Sequence, residues 1–451
     1  MDQAAVVTCL LRHDGEVLLF LRADDAETYP GRWGTVTGYV EHADPLASAR
    51  MEIREETALS DFELIRRGDP FEVRDETLDR EWEIHPFLFE PGSREVRTNE
   101  ETARAEWTTP TAILRCETVP DLWASYDRVR PTPETIAVDD EHGSAYLSIR
   151  ALEVLRDEAA LAAEGGDGIR VDRSPDRYSP GTVEANSINS SVDPYIGEVH
   201  TIAEVLLNAR PSMAALRNRV NRAVAGETTP AEAEQSAIEV IERALTADER
   251  TAERAAGRIE GHVFTLSRSG TVLAALREEA KTGVKAATAT GVETVTVAES
   301  RPVSEGVDVA ETLVKTGLDV RVCTDAAIAH ILASDEIDCV LVGADTVLPD
   351  GRVVNKTGTR GAAIAADRED IPVYVAAASD KISTEPTPHL ESGPADAVYD
   401  GEAGIGVINP TFDVTPAGPV DAVLTERGAL SGEDIAGVAS ELRELGSWRE
   451  D

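Results

Sequence analysis

Three glutamates, Glu52, Glu55 and Glu56, stand at i, i+3 and i+4 within DPLASARMEIREETAL. If that stretch is helical, the three carboxylates share one face within a single turn. Like charges this close repel one another, and a cation between them removes the repulsion. A ligand set made only of oxygens suits Mg²⁺ or Mn²⁺, with phosphate oxygens and water completing the shell. In a chain this acidic, the same trio also fits an ordinary charged surface.

A second group lies in the C-terminal half. HVFTLSRSGTVLAAL reads as a strand, a small polar loop and a helix. Ser267, Arg268, Ser269 and Gly270 precede that helix, whose first N–H groups can receive a phosphate. VTVAESRPVSEG places Glu299, Arg301 and Gly306 just after another strand. CVLVGADTVLPDGRVVNKTGT places Asp345 at a strand's end, with Asn355 and Lys356 downstream. In open α/β sheets, ligands sit at the carboxyl ends of the strands, where all of these residues fall. Taken singly, an Asp after a strand commonly caps a turn and an Arg there solvates a loop. Lys356 is less easily set aside, because the chain has only five lysines, at 281, 285, 315, 356 and 381, among 43 basic residues.

The elements that must position these groups are legible from periodicity. AVVTCLL, the turn HDGE and VLLFLR predict a β-hairpin. DPLASARMEIREETAL predicts a helix with Asp44 as N-cap and Pro45 in its first turn. EWEIHPFLFE predicts a strand, and AEWTTPTAILR a turn into a helix. Residues 143–164 are helical by period. Residues 165–197, rich in Gly, Pro, Ser and Asn, predict a linker or a long exposed loop. Residues 198–260 are again helical. From 261 onwards, short apolar runs (HVFTL, TVTVA, DVRVC, CVLVG, PVYVA, AVLTE) alternate with helical stretches, the pattern of a parallel sheet with crossover helices.

Composition narrows the setting. Hydrophobic residues make up 42% of the 451, enough for packed cores. No apolar run reaches membrane-spanning length, and the start, MDQAAVVTCLL, lacks the basic region of a signal peptide. Asp and Glu total 84, for a net charge of −41. Acidity spread along a lysine-poor chain suits the cytoplasm of a salt-accumulating cell, where screening limits repulsion to a few ångströms. It also argues against direct DNA binding, which needs basic patches. An acidic partner-binding protein is the alternative. The four cysteines form no CxxC pair or zinc spacing; Cys9, Cys323 and Cys339 sit in apolar runs and are expected as buried thiols.

The stretch GYVEHADPLASARMEIREETAL resembles the Nudix box, a loop–helix–loop that holds a metal against a diphosphate. The preceding hairpin, PGRWGTVTG and the later AEW resemble that family too, over residues 1–115. Met51 stands where the family has an arginine and Ala58 where it has a closing glycine. The loop is one residue short, with Ala43 near the position of an earlier glutamate. The resemblance implies metal binding at Glu52, Glu55 and Glu56, and either hydrolysis or simple binding of a nucleoside diphosphate derivative.

Residues 198–445, through AESRP, GAD, NKTGT and NPTFDVTP, resemble the translation initiation factor 2B family. That family joins regulatory subunits of the eukaryotic exchange factor to isomerases acting on methylthioribose 1-phosphate and ribose 1,5-bisphosphate. Its isomerases pair a cysteine with an aspartate. Asp345 matches the aspartate, whereas Ser267 stands at the cysteine position, and the isomerases' Arg-Gly-Ala phosphate loop is missing. A thiol titrates near ~8.5 and an alkyl hydroxyl is far less acidic, so Ser267 is a poor proton donor. The resemblance therefore implies a phosphorylated sugar or nucleotide ligand, held by Ser267, Arg268, Ser269, Gly270, Glu299, Arg301, Gly306, Asn355 and Lys356. It also implies self-association through the C-terminal domain. A non-enzymatic regulatory protein and a true isomerase using Asp345 are the alternatives.

The expected architecture is an α+β Nudix domain (1–125), a helical connector and flexible linker (126–197), a helical subdomain (198–260) and a Rossmann-like α/β parallel-sheet domain (261–451).

Overall fold

The computed structural model describes residues 2–41, 44–76, 78–99, 101–165, 193, 195–283, 291–334 and 336–449. Ala43 and nearly all of the Gly/Ser-rich 165–197 segment lie outside them. The chain divides into two compact units, one of residues 1–135, 150–202 and 227–238, the other of 136–149, 203–226 and 239–451. No described helix is long and apolar enough to cross a membrane.

The first unit is built on an eight-stranded mixed sheet. Asp2–His13 and Glu16–Arg22 form the expected hairpin, with Arg12 opposite Val17 and His13 opposite Glu16. Asp14 and Gly15 both have positive φ, 51° and 81°, the demand of a two-residue turn whose twist matches the strands. Asp2–His13 then pairs in parallel with Arg80–Pro91, and antiparallel with Val36–Tyr39. Side chains alternate along this central strand. Val7, Cys9 and Leu11 pack with Ala49 and Ile53 of the helix Pro45–Thr57. Leu10 faces the other way, toward Trp123, Tyr126 and Val129. The Asp44 side chain accepts the Leu46 N–H at 3.0 Å, so the helix starts where the cap and Pro45 place it.

Two expectations need correction in this unit. AEWTT does not turn directly into an α-helix: Thr102–Thr108 is a strand pairing with Glu16–Arg22, and only Pro110–Leu114 turns, as a 3₁₀ segment. The period of AEWT alternates like a strand, and Pro110 ends it. Residues 150–164 of the helix Ser144–Glu164 are also not a mere connector. Buried Glu153 meets Arg12 at 3.3 Å, and Arg156 donates to the Gly15 carbonyl at 2.6 Å. Tyr126 donates to Asp157 at 2.8 Å. Buried charges remain ionised only when paired, so this helix belongs to the hairpin it covers.

The second unit contains a seven-stranded sheet. In spatial order its strands are Asp319–Cys323, Val292–Ala298, Gly261–Leu266, Cys339–Gly343, Val373–Ala376, Ala422–Thr425 and Gly428–Leu430. All neighbours are parallel except the last pair. Numbered along the chain, the parallel strands run 3-2-1-4-5-6, so the order reverses between Gly261–Leu266 and Cys339–Gly343. Apolar clusters fill both faces: Phe264, Val340, Val342 and Val375 on one, Val263, Val295, Leu341 and Ala376 on the other. Near-continuous apolar strands are what such a doubly covered sheet requires. A small antiparallel sheet of Thr346–Val347, Val353–Lys356 and Phe412–Thr415 carries Asn355 and Lys356. The helical expectation for 198–260 is met by Ile196–Ala209, Ala214–Val224 and Pro230–Ala256. Their residues are divided between the two units rather than gathered in a separate body. Within the second unit, Asn218 donates to the Asp380 and Ile382 carbonyls at 2.8 Å each, and buried Arg219 pairs with Asp248 and Asp380.

Candidate functional site

The helix Pro45–Thr57 presents Glu52, Glu55 and Glu56 to a cleft of 380 Å³ in the first unit. Glu52 lies so close to Gly38 that a Cβ there would stand 1.9 Å from its Oε1. A side chain at position 38 would therefore push the Glu52 carboxylate aside. Glu56 accepts the Thr37 N–H at 3.4 Å. Burial pushes the Glu56 carboxyl up to about 8, helped by neighbouring Glu52 and opposed by the Thr37 N–H and Arg22. Burial also raises Glu52, with Glu55, Glu41 and Glu101 adding to it. Glu55 is exposed. Among the described residues, no three His, Cys, Asp or Glu side chains stand close enough as placed to hold a metal ion. The all-oxygen donor set and its mutual repulsion nonetheless fit a hard divalent cation, which would relieve both burial and like charge.

The cleft has a second character away from the carboxylates. On one face of the strand Asp2–His13, Thr8 pairs with Thr37, Val6 lies between Tyr39 and Ile84, and Ala4 pairs with Trp82. Four residues of strand span roughly 13 Å, so the carboxylate end and the aromatic end are about that far apart. Trp82, Val73 and Ile84 form an apolar cluster at the far end. Tyr39, its ring 6.2 Å from Trp82, is 47% exposed at the cleft. Tyr29 donates to Asp75 at 2.7 Å beside them.

In the second unit, the order reversal brings two strand ends together. A Cβ on Gly343 would lie 2.5 Å from Ser269 Oγ, so the loop after Gly261–Leu266 rests on the end of Cys339–Gly343. Ser267 has φ 65° and its N–H donates to Ser300 Oγ at 2.8 Å. Its hydroxyl donates to Glu305 Oε1, which also accepts the Arg268 N–H at 3.3 Å. Glu305 Oε2 pairs with Lys356 Nζ at 3.4 Å. Asp345 stands nearby: burial raises its carboxyl, Lys381 and Lys356 oppose that, and Glu305 adds to it. Lys381 is buried and donates to the Ala344 carbonyl at 2.7 Å; burial lowers its pKa, with Asp345 pulling the other way.

The predicted residues therefore separate into two kinds. Ser267, the Arg268 backbone, Asp345 and Lys356 converge. Ser269 caps the helix Gly270–Gly283, accepting the Val272 N–H at 3.4 Å. Asn355 is buried and donates to Thr359 Oγ1 at 3.0 Å, a structural contact. Gly306 is required by crowding, since a Cβ would stand 2.0 Å from the Ala298 carbonyl. The Glu299 backbone N–H bonds the Cys323 carbonyl at 2.9 Å. The Arg268 guanidinium donates to the Glu141 carbonyl, and Arg301 is exposed with its backbone N–H on Asp325 at 2.7 Å. Sequence reasoning missed Glu305 and Lys381. Lys381 carried the same signal as Lys356, its rarity; Glu305 was hidden among 84 acidic residues. Of the thiols, Cys9 and Cys339 are buried as expected, while Cys323 is only partly so.

Comparison with known proteins also divides the chain in two. Residues 1–131 match the NUDIX domain, and residues 140–432 match the Initiation factor 2 subunit family. A ribose 1,5-bisphosphate isomerase of Archaeoglobus fulgidus is 31% identical over 275 residues, 57% of this chain and 84% of that protein. A methylthioribose-1-phosphate isomerase of Syntrophotalea carbinolica is 30% identical over 281 residues, 57% of this chain and 80% of that protein. A crystal structure of translation initiation factor eIF-2B from Pyrococcus horikoshii OT3 shares the fold, with a TM-score of 0.50 and 24% identity over 66% of this chain and 94% of that one. The chain thus carries a NUDIX domain at its N-terminal end and belongs to the Initiation factor 2 subunit family.

Proposed function

We propose that this is a two-part protein of nucleotide metabolism. The first unit binds, and with Mg²⁺ or Mn²⁺ hydrolyses, a nucleoside diphosphate derivative. The second unit binds a phosphorylated sugar or nucleotide in the crevice where the strand order of its Rossmann-like sheet reverses. The observation that carries the second half is the meeting of Ser267, the Arg268 N–H and Lys356 beside Asp345 at that reversal. Hydroxyl, backbone N–H and ammonium are the donors a phosphate takes. A cation held by Glu52, Glu55 and Glu56 would supply charge neutralisation at a diphosphate. The two-ended cleft supports a ligand with a planar apolar part as well as an anionic one. Self-association through the second unit and a cytoplasmic setting at high salt belong to the same reading.

Isomerase activity is the second reading, favoured by the relatives named ribose 1,5-bisphosphate isomerase and methylthioribose-1-phosphate isomerase. Against it stands Ser267, whose hydroxyl is committed to Glu305 and is a weak acid. The test is calorimetry on the full chain in molar salt with ribose phosphates and nucleoside monophosphates, wild type against Lys356→Ala. Loss of one charge-assisted phosphate contact costs ~1.5–3 kcal/mol, roughly a ten- to hundredfold weaker Kd. Affinity indifferent to Lys356→Ala places the ligand elsewhere. Rapid aldose-to-ketose conversion by the wild type establishes the isomerase reading instead, with Ser267→Cys as its control.

A further inference from the structure

Three donors from two different segments meet on one carboxylate in the second unit. The Ser267 hydroxyl and the Arg268 N–H go to Oε1 of Glu305, and the Lys356 ammonium to Oε2. Glu305 belongs to neither of those segments; it opens the helix Glu305–Val314. Nothing in helix capping requires this arrangement, because the donors come from outside the helix. They are the groups a phosphate monoester would use, and a negatively charged side chain stands among them.

We propose that Glu305 is a built-in anion seated in the phosphate cradle, and that a phosphorylated ligand binds by displacing its carboxylate from Ser267, Arg268 and Lys356. This rests on the reading that the crevice binds a phosphate ester. The exchange is a side-chain rotation. The backbone at the helix start is fixed, because the Gly306 α-carbon is wedged against the Ala298 carbonyl and its N–H bonds the Glu299 carbonyl at 3.1 Å. Displacement also sets specificity. A phosphate dianion brings about two charges to donors that Glu305 serves with one, so it competes successfully. A free sugar, or a sugar acid with one carboxylate, gains little over the resident group. The displaced carboxylate remains close enough to repel the ligand, so the wild type holds phosphate more weakly than its donors allow.

The experiment is calorimetry on the full chain in molar chloride, with inorganic phosphate and ribose 5-phosphate as probes. Glu305→Gln and Glu305→Ala should each bind both probes about tenfold tighter than wild type, while Lys356→Ala binds them about tenfold more weakly. Melting curves confirm that each variant is folded. Unchanged or weaker binding in both Glu305 variants, with Lys356→Ala still weakening it, overturns the role of Glu305 and leaves the site standing. Binding indifferent to Lys356→Ala, or absent from all variants, overturns the site and this inference with it.

Discussion

At the residue scale, the function proposed for the first unit rests on three carboxylates, of which burial and like charge raise Glu52 and Glu56. Glu56 is pushed up to about 8, mainly by burial and then by Glu52. Mg²⁺ should therefore bind preferentially to the folded chain and stabilise it. At a hundred times its Kd the gain is ~2.7 kcal/mol, readable as a rise in melting temperature over a chelator control. In the double variant Glu55→Gln, Glu56→Gln that rise should vanish, together with any phosphohydrolase activity, while the circular dichroism spectrum remains native. A Mg²⁺-dependent rise that survives the double substitution contradicts the metal assignment. At the other end of the cleft, Tyr39→Ala should weaken binding of a nucleoside diphosphate by ~1–3 kcal/mol, the usual worth of a base–aromatic stack, and leave inorganic pyrophosphate unaffected. Equal losses for both ligands contradict an aromatic base subsite.

At the element scale, the helix Pro45–Thr57 ends on Ala58, held at φ 58° with its N–H on the Arg54 carbonyl at 3.1 Å. Left-handed backbone costs an alanine ~1–2 kcal/mol that a glycine does not incur. Ala58→Gly should accordingly raise the stability of the first unit by about 1 kcal/mol in a denaturant titration; a destabilised variant contradicts this account of the cap. Gly306→Ala should act in the opposite sense, weakening the second unit and the phosphate binding proposed for it together. The same elements show how far the sequence could be read. The hairpin turn at Asp14–Gly15, the Asp44 cap and the apolar parallel strands follow from local patterns, and all are present. Asp345 and Ser267 were legible because each follows a recognisable strand, and Lys356 because lysine is rare in this chain. Asn355 and Gly306 were legible as positions but not as roles, since only packing separates a buried structural amide or a steric glycine from a ligand contact. The role of Glu305 and the packing of the helix Ser144–Glu164 on the hairpin were not legible, because long-range pairing of charges leaves no period in the sequence.

At the scale of the whole molecule, a net charge of −41 on 451 residues sets the conditions under which either unit works. Self-repulsion weakens the folded state when the screening length is long. That length falls from ~10 Å at ~0.1 M salt to ~3 Å at ~1 M, so the melting temperature should rise steeply across this range. A flat profile contradicts the reading of the acidity as an adaptation to salt. The central claim is that one chain joins a metal-dependent site for diphosphates to a phosphate-ester site. Its most direct test is a turnover assay on the purified full chain in molar KCl with Mg²⁺, across a panel of nucleoside diphosphate derivatives. Release of phosphate or of a nucleoside monophosphate, abolished by Glu55→Gln with Glu56→Gln but retained in Lys356→Ala, is the result predicted. Turnover that persists in the double glutamine variant, or neither turnover nor binding of any member of the panel, would contradict it.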